Sequence, residues 1–129
     1  MKEDNTSHTL TKISEGIYKE KGSKFIAYAM PIASKDEVKD IVNRYKKEHH
    51  KAKHVCFAYR IGQDIRANDN GEPSGTAGRP ILRQIDAAGL DNTLVVVVRY
   101  FGGTLLGTGG LINAYKTAAQ DAIKNGLTD

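Results

Sequence analysis

Leu94-Val-Val-Val-Val98 is five apolar residues in a row, four of them β-branched. A run this short and this branched reads as a strand rather than a helix turn. It does not alternate, so both of its faces need cover. Any fold for this chain has to place that strand in the middle of a sheet. Glycine-rich segments flank it at a distance: Asn70-Gly-Glu-Pro-Ser-Gly-Thr-Ala-Gly-Arg-Pro80 before it and Arg99-Tyr-Phe-Gly-Gly-Thr-Leu-Leu-Gly-Thr-Gly-Gly110 after it. Nine of the thirteen glycines lie between Gly71 and Gly110. Glycine in that number marks unusual backbone conformations or close approach by other groups.

The remaining elements follow from periodicity. Strands are expected near 13–18 and 23–32, joined by a polar turn at Lys19-Glu-Lys-Gly22. Ser34 and Glu37 form a capping box for a helix reaching about Glu48. Its apolar stripe is Val38, Ile41, Val42 and Tyr45. A strand over 54–61 puts Val55, Phe57, Tyr59 and Ile61 on one side, and a short continuation follows at 65–67. The loop 68–78 has no period, and a loop that long usually has a job. Pro80 opens a helix that Gly89 stops. The core strand spans 92–98, and a helix with many alanines runs over 111–124. The order β β α β (β) α β α implies an α+β fold, a sheet with its helices on one face.

The length of 129 residues suits a single domain spanning 1–129, with residues 1–10 expected to be loosely ordered. There is one cysteine, no apolar stretch long enough to span a membrane and no hydrophobic N-terminal signal, so the chain reads as cytoplasmic. The net charge is +4, but it is unevenly placed. Between Lys35 and Lys53 there are seven Lys or Arg residues against four acids. Lys39, Arg44, Lys46, Lys47, Lys51 and Lys53 are therefore candidates for contact with a phosphate backbone, or simply a solvated helix face.

The second glycine segment lies between a strand and a helix, where backbone amides can bind anions. It is neither a Walker A loop nor a dinucleotide fingerprint. Gly102, Gly103, Gly107, Gly109 and Gly110 either hold an anion or allow a tight strand-to-helix crossing. Arg99 and Tyr100 end the core strand facing these loops. Arg99 either grips a phosphate or carboxylate, or pairs with Asp69 or Glu72 and closes the loops on each other. Asp69, Glu72, Ser74, Thr76 and Arg79 form the other half of the candidate site, read as recognition or loop locking. His54 and Cys56 point to one side of their strand, but zinc would need two more ligands. No catalytic constellation, metal set or cofactor is implied.

Asp69-Asn-Gly-Glu-Pro-Ser-Gly-Thr-Ala-Gly-Arg-Pro-Ile81, Val96-Val-Val-Arg-Tyr-Phe-Gly-Gly103 and Leu106-Gly-Thr-Gly-Gly-Leu111 with Ala114-Tyr115 resemble the YigZ/IMPACT family, also called uncharacterised protein family 0029. Lys21-Gly-Ser-Lys-Phe-Ile26 and Ala52-Lys-His-Val-Cys-Phe-Ala-Tyr59 fit its upstream segments, and the resemblance covers about 14–125, its N-terminal domain. It implies a two-layer α/β sandwich with a mixed sheet, like the second domain of ribosomal protein S5, including a left-handed β-α-β crossover. It also implies a non-enzymatic regulatory or interaction module linked to translation, with a protein partner in translation or stress regulation. Direct RNA or ribosome binding through the basic face is the first alternative, and a small-molecule or phosphate-binding enzyme the second. No membrane partner is implied. The family usually has a lysine where this chain has Leu106, an arginine where it has Asn113, and a ferredoxin-like C-terminal domain beyond the last helix, which is absent from this sequence.

Overall fold

The computed structural model describes residues 9–127, and the apolar run lies at its centre. The elements are β1 (Ser14–Glu20), β2 (Ser23–Pro31), α1 (Asp36–Glu48), β3 (His54–Ile61), β4 (Asp64–Asn68), α2 (Gly78–Ala87), β5 (Thr93–Tyr100) and α3 (Gly107–Leu127). The five strands form one sheet in the order β1-β2-β5-β3-β4. Leu94 to Val98 are all fully buried.

Two expectations about the sheet need correction. It is antiparallel throughout, not mixed. Its helices are also not confined to one face. Val95 and Val97 turn toward α2 and α3, meeting Ile81, Ile85, Ala118 and Ala122. Leu94, Val96 and Val98 turn the other way, toward Val38 and Val42 of α1. The non-alternating run demanded this outcome, because a half-solvated β5 would have left three of these five side chains in water.

The two faces are built differently. On the α3 side, the strands present Ala27, Ala29 and Ala58 to Ala114, Ala118, Ala119 and Ala122 of the helix, all fully buried. Small residues on both partners let the helix lie close to the sheet. At Gly16 the approach is so close that a Cβ would overlap the α3 backbone at Ala118 and Ala122. On the α1 side the packing is larger-grained, with Met30, Tyr59 and Tyr28 beneath the helix.

Local signals explain the element ends. The Oε2 of Glu37 accepts the Ser34 amide at 2.9 Å, as the expected capping box requires, while Ser34 Oγ accepts the Asp36 amide at 3.1 Å in place of the Glu37 amide. Lys21 and Gly22 both have positive φ, giving a two-residue hairpin turn between Glu20 and Ser23. Helix α2 begins at Gly78, two residues before Pro80, and closes as expected with the Gly89 amide donating to the Asp86 carbonyl. Helix α3 begins at Gly107 rather than 111, so Gly109 and Gly110 belong to its first turn and not to a loop. The loosely ordered stretch expected over 1–10 falls largely outside the described residues. Leu10, however, is 3% exposed and packed in the α3-side core, so it is anchored. No helix among the described residues is long and apolar enough to cross a membrane.

Candidate functional site

Three strand ends and two loops meet where β5 stops. Arg99, the last buried residue of β5, extends beneath the 68–78 loop. Its Nη1 donates to both oxygens of Glu72, at 3.0 and 2.8 Å. Both side chains are almost wholly buried. Of the two partners open to Arg99 in the sequence, Glu72 is the one it meets. Tyr115, from the alanine-rich face of α3, donates its hydroxyl to Glu72 Oε2 at 2.5 Å. His54 Nε2 lies 3.5 Å from Glu72 Oε1, and its Nδ1 is 2.7 Å from the Asn70 carbonyl oxygen. Cys56 donates to the Asp69 carbonyl at 3.0 Å and lies 3.4 Å from the Tyr115 hydroxyl. Glu72 is thus the hub through which β3, β5, α3 and the loop are joined.

This environment quiets the groups that could do chemistry. Burial pushes the Cys56 thiol up to about 12, so it stays protonated and poorly nucleophilic. Burial, with Cys56 and Glu72 beside it, pushes the Tyr115 hydroxyl far above its ordinary value. Among the described residues, no three His, Cys, Asp or Glu side chains are grouped to hold a metal ion.

Asp69 has a separate task. Its carboxylate accepts the amides of Gly75, Ala77 and Gly78, at 2.9, 3.1 and 2.8 Å, and so caps α2 from nine residues upstream. Burial works to raise its carboxyl, but the three amide donors and nearby Arg79 outweigh it and hold it below the usual range. A carboxyl lowered on folding stabilises the native state above its unfolded pKa of about 3.9, and that contribution is lost as pH falls through the lower folded value. Asp69→Ala should therefore cost about 1–2 kcal/mol at neutral pH. In urea unfolding the gap between wild type and variant should narrow steadily below pH 4. A pH-independent gap would show that the charge of Asp69 contributes nothing.

The other candidates divide. Thr76 is buried and donates to the Pro73 carbonyl at 2.6 Å, locking the loop internally. Ser74 is exposed on the outside of the loop, and Arg79 is exposed in the first turn of α2. Tyr100 leaves the cluster for the α1 face, where its hydroxyl is 2.6 Å from His49 Nδ1. Gly102 lies against the β1–β2 turn, its amide donating to Ser23 Oγ at 3.1 Å. Around Gly103, Gly107 and Gly109 there is open space, and Gly110 faces Leu106. Lys39, Arg44, Lys46 and Lys47 lie on the exposed side of α1, and Lys51 is exposed just beyond it. Lys53 is different: its ammonium stands 4.9 Å from the centre of the Phe101 ring, beside the Glu72 cluster. Leu106 borders the same region, and Asn113 donates to the Tyr18 hydroxyl at 3.3 Å.

Sequence reasoning misses Tyr115 and Ser23 as site residues, and it places His54 and Cys56 on one side of their strand without joining them to Glu72. Tyr115 carries one readable signal. It is a bulky phenol on a helix face otherwise built from Leu, Ile and Ala, and a buried phenol needs a polar partner.

An antiparallel five-stranded sheet with an alanine-rich helix on one face, and a glycine loop clamped to the sheet by a buried ion pair, is the frame these residues define. The family profile described as the Impact N-terminal domain matches residues 21–123, and the chain belongs to that family. Among curated relatives, the IMPACT family member YvyE of Bacillus subtilis is 42% identical over 106 residues, covering 80% of this chain and 49% of the relative. YigZ of Escherichia coli is 39% identical over 109 residues, covering 81% of this chain and 53% of the relative. The chain spans about half the length of these curated relatives. A crystal structure of a hypothetical protein superposes with a TM-score of 0.87 at 36% identity, over 90% of this chain and 59% of that one. A structure titled as the two-domain translational regulator Yih1 superposes with a TM-score of 0.58 at 25% identity, over 99% of this chain and 52% of that one.

Proposed function

We propose that this chain is a non-enzymatic interaction module linked to translational regulation, acting through a protein partner. The observation that carries the reading is the fate of its reactive groups. Glu72, Tyr115 and Cys56 bond to one another or to Arg99 inside the fold, which suits a recognition surface held rigid from beneath. The description of the Yih1 structure as a translational regulator supplies the biological setting. Crosslinking the tagged chain in living cells should recover translation factors or ribosomal proteins above a tag-only control. Recovery of neither would overturn the reading.

Direct RNA or ribosome contact is the second reading. Lys39, Arg44, Lys46 and Lys47 on one exposed helix favour it. It requires affinity for RNA that falls steeply with salt, with a logarithmic slope of about −0.7 per phosphate neutralised on a single strand. Fluorescence anisotropy should show this slope flattened in Lys46→Glu/Lys47→Glu. No binding at low salt would remove the reading.

A further inference from the structure

Helix α1 packs over β3 and β5 but not over the edge strand β4. Antiparallel pairing sets Arg66 opposite Tyr59 and Asn68 opposite Phe57, and both aromatic residues belong to the α1 face. That face therefore runs out from under the helix, and a groove of about 440 Å³ lies between α1 and β4. Its floor is apolar. Val38, Val42 and Tyr59 are buried there, and Phe57 is half-buried. The 68–78 loop follows directly on β4 and is tied to β3 and β5 through Asn70 and Glu72, which holds the far wall in place.

The rims carry one sign of charge. Lys35, Lys39 and Lys46 stand on the helix side and Arg66 on the strand side, with no carboxylate among the lining residues. The three lysines fall at i, i+4 and i+11, one stripe about 16 Å long. Lys35 meets Asp64 at 3.6 Å, an exposed pair of little strength. Lys39, Lys46 and Arg66 have no acidic partner among the described residues. The acids of α1 do not line the groove. Glu37 is engaged in the capping box, and Asp40 lies beside Arg44 and Lys47. A merely solvated lysine face needs no apolar floor beside it, and this one has a floor with cations on both sides.

We propose that this groove docks an extended acidic segment of a protein partner, with apolar side chains between its carboxylates. The inference rests on the protein-partner reading above and names the surface and the chemistry of the partner. An extended chain spans the lysine stripe in about five residues, and its alternation sets every second side chain on the floor while the carboxylates flank the rims. RNA is the poorer fit. Bases stack on open aromatic faces, and this floor offers two valines, a tyrosine ring 6% exposed and a half-buried Phe57. A phosphate backbone would also draw on Arg44 and Lys47, which lie outside the groove.

The test is fluorescence anisotropy with a labelled, capped heptapeptide that alternates glutamate with leucine and phenylalanine. One control peptide has serine at the apolar positions, a second has lysine at the acidic ones, and a third probe is an oligouridylate of equal charge. The first peptide should bind saturably at low salt. The serine peptide should bind about fivefold more weakly, the lysine peptide not at all, and the RNA more weakly than the first peptide. Arg66→Glu and Lys39→Glu, both at exposed positions, should each weaken the first peptide about fivefold. Lys47→Glu makes the same charge change outside the groove and should alter affinity by less than about twofold. Four results would each overturn the proposal: no saturable binding of the first peptide, tighter binding of the RNA, equal affinity for the serine peptide, or equal losses in Lys47→Glu and Arg66→Glu. Crosslinking in cells separates the groove from the reading beneath it. If Lys39→Glu/Arg66→Glu recovers translation factors as well as wild type does, the groove is wrong and the protein-partner reading stands. If wild type recovers none, that reading itself fails.

Discussion

Replacing Glu72 with alanine should cost the fold about 3–5 kcal/mol, the largest loss expected from any single polar substitution in this chain. The reason is what remains behind. Arg99 would keep its charge in a site 4% exposed, and Tyr115 would lose the acceptor of its hydroxyl. Desolvating these groups in the native state with no carboxylate to answer them is the expensive part, more than the loss of the three hydrogen bonds Glu72 accepts. The double variant Glu72→Leu/Arg99→Met removes both charges together and should recover much of the loss, because apolar side chains of similar volume often substitute for a buried pair. Urea unfolding of the two variants distinguishes this from simple loss of packing. If Glu72→Ala costs less than about 1 kcal/mol, or the double variant is the worse of the two, the ion pair is not the clamp that geometry makes it.

The sequence disclosed elements more readily than their placement. Val38, Ile41, Val42 and Tyr45 fixed α1 as an amphipathic helix, because periodicity is a local property of the chain. Which face of the sheet α1 would cover is not local. The answer is present in Leu94–Val98, whose lack of alternation calls for cover on both sides, against the one-sided arrangement that the element order implies. Packing resolved the conflict in favour of the strand. The same limit governs the site. Arg99 and Glu72 were readable as candidates because charges beside glycine-rich loops stand out. That Tyr115 would reach the same carboxylate depends on the phase of α3 against the sheet, across 43 residues of chain. That Tyr100 would turn away follows from strand alternation, which sends Arg99 and Tyr100 to opposite faces. Gly109 and Gly110 looked like loop because glycine is a poor helix former, and tertiary contacts of Leu111, Ala114 and Tyr115 carry the helix back through them.

Two glycines from one segment should respond in opposite ways to the same substitution. Gly102→Ala should destabilise the chain by about 3 kcal/mol, the upper end of what overpacking commonly costs. A Cβ there would overlap the backbone of Gly22 and Ser23 in the β1–β2 turn, and neither is the movable end of a side chain. Relief would require shifting the turn, which would pull Ser23 Oγ away from the Gly102 amide and from Arg99 Nη2. Strain at Gly102 would thus spread to the Arg99 clamp through one hydroxyl. Gly109→Ala meets no atom within 4 Å and sits in the first turn of α3, so it should be neutral or stabilise by up to about 1 kcal/mol. Thermal and urea unfolding of the two alanine variants would read the difference directly. Equal effects would mean that these glycines serve one shared purpose. A large gap, with Gly102→Ala the destabilised variant, would separate them. Gly102 would then lack a side chain so that two turns can touch. Gly109 would lack one where nothing in the fold requires it.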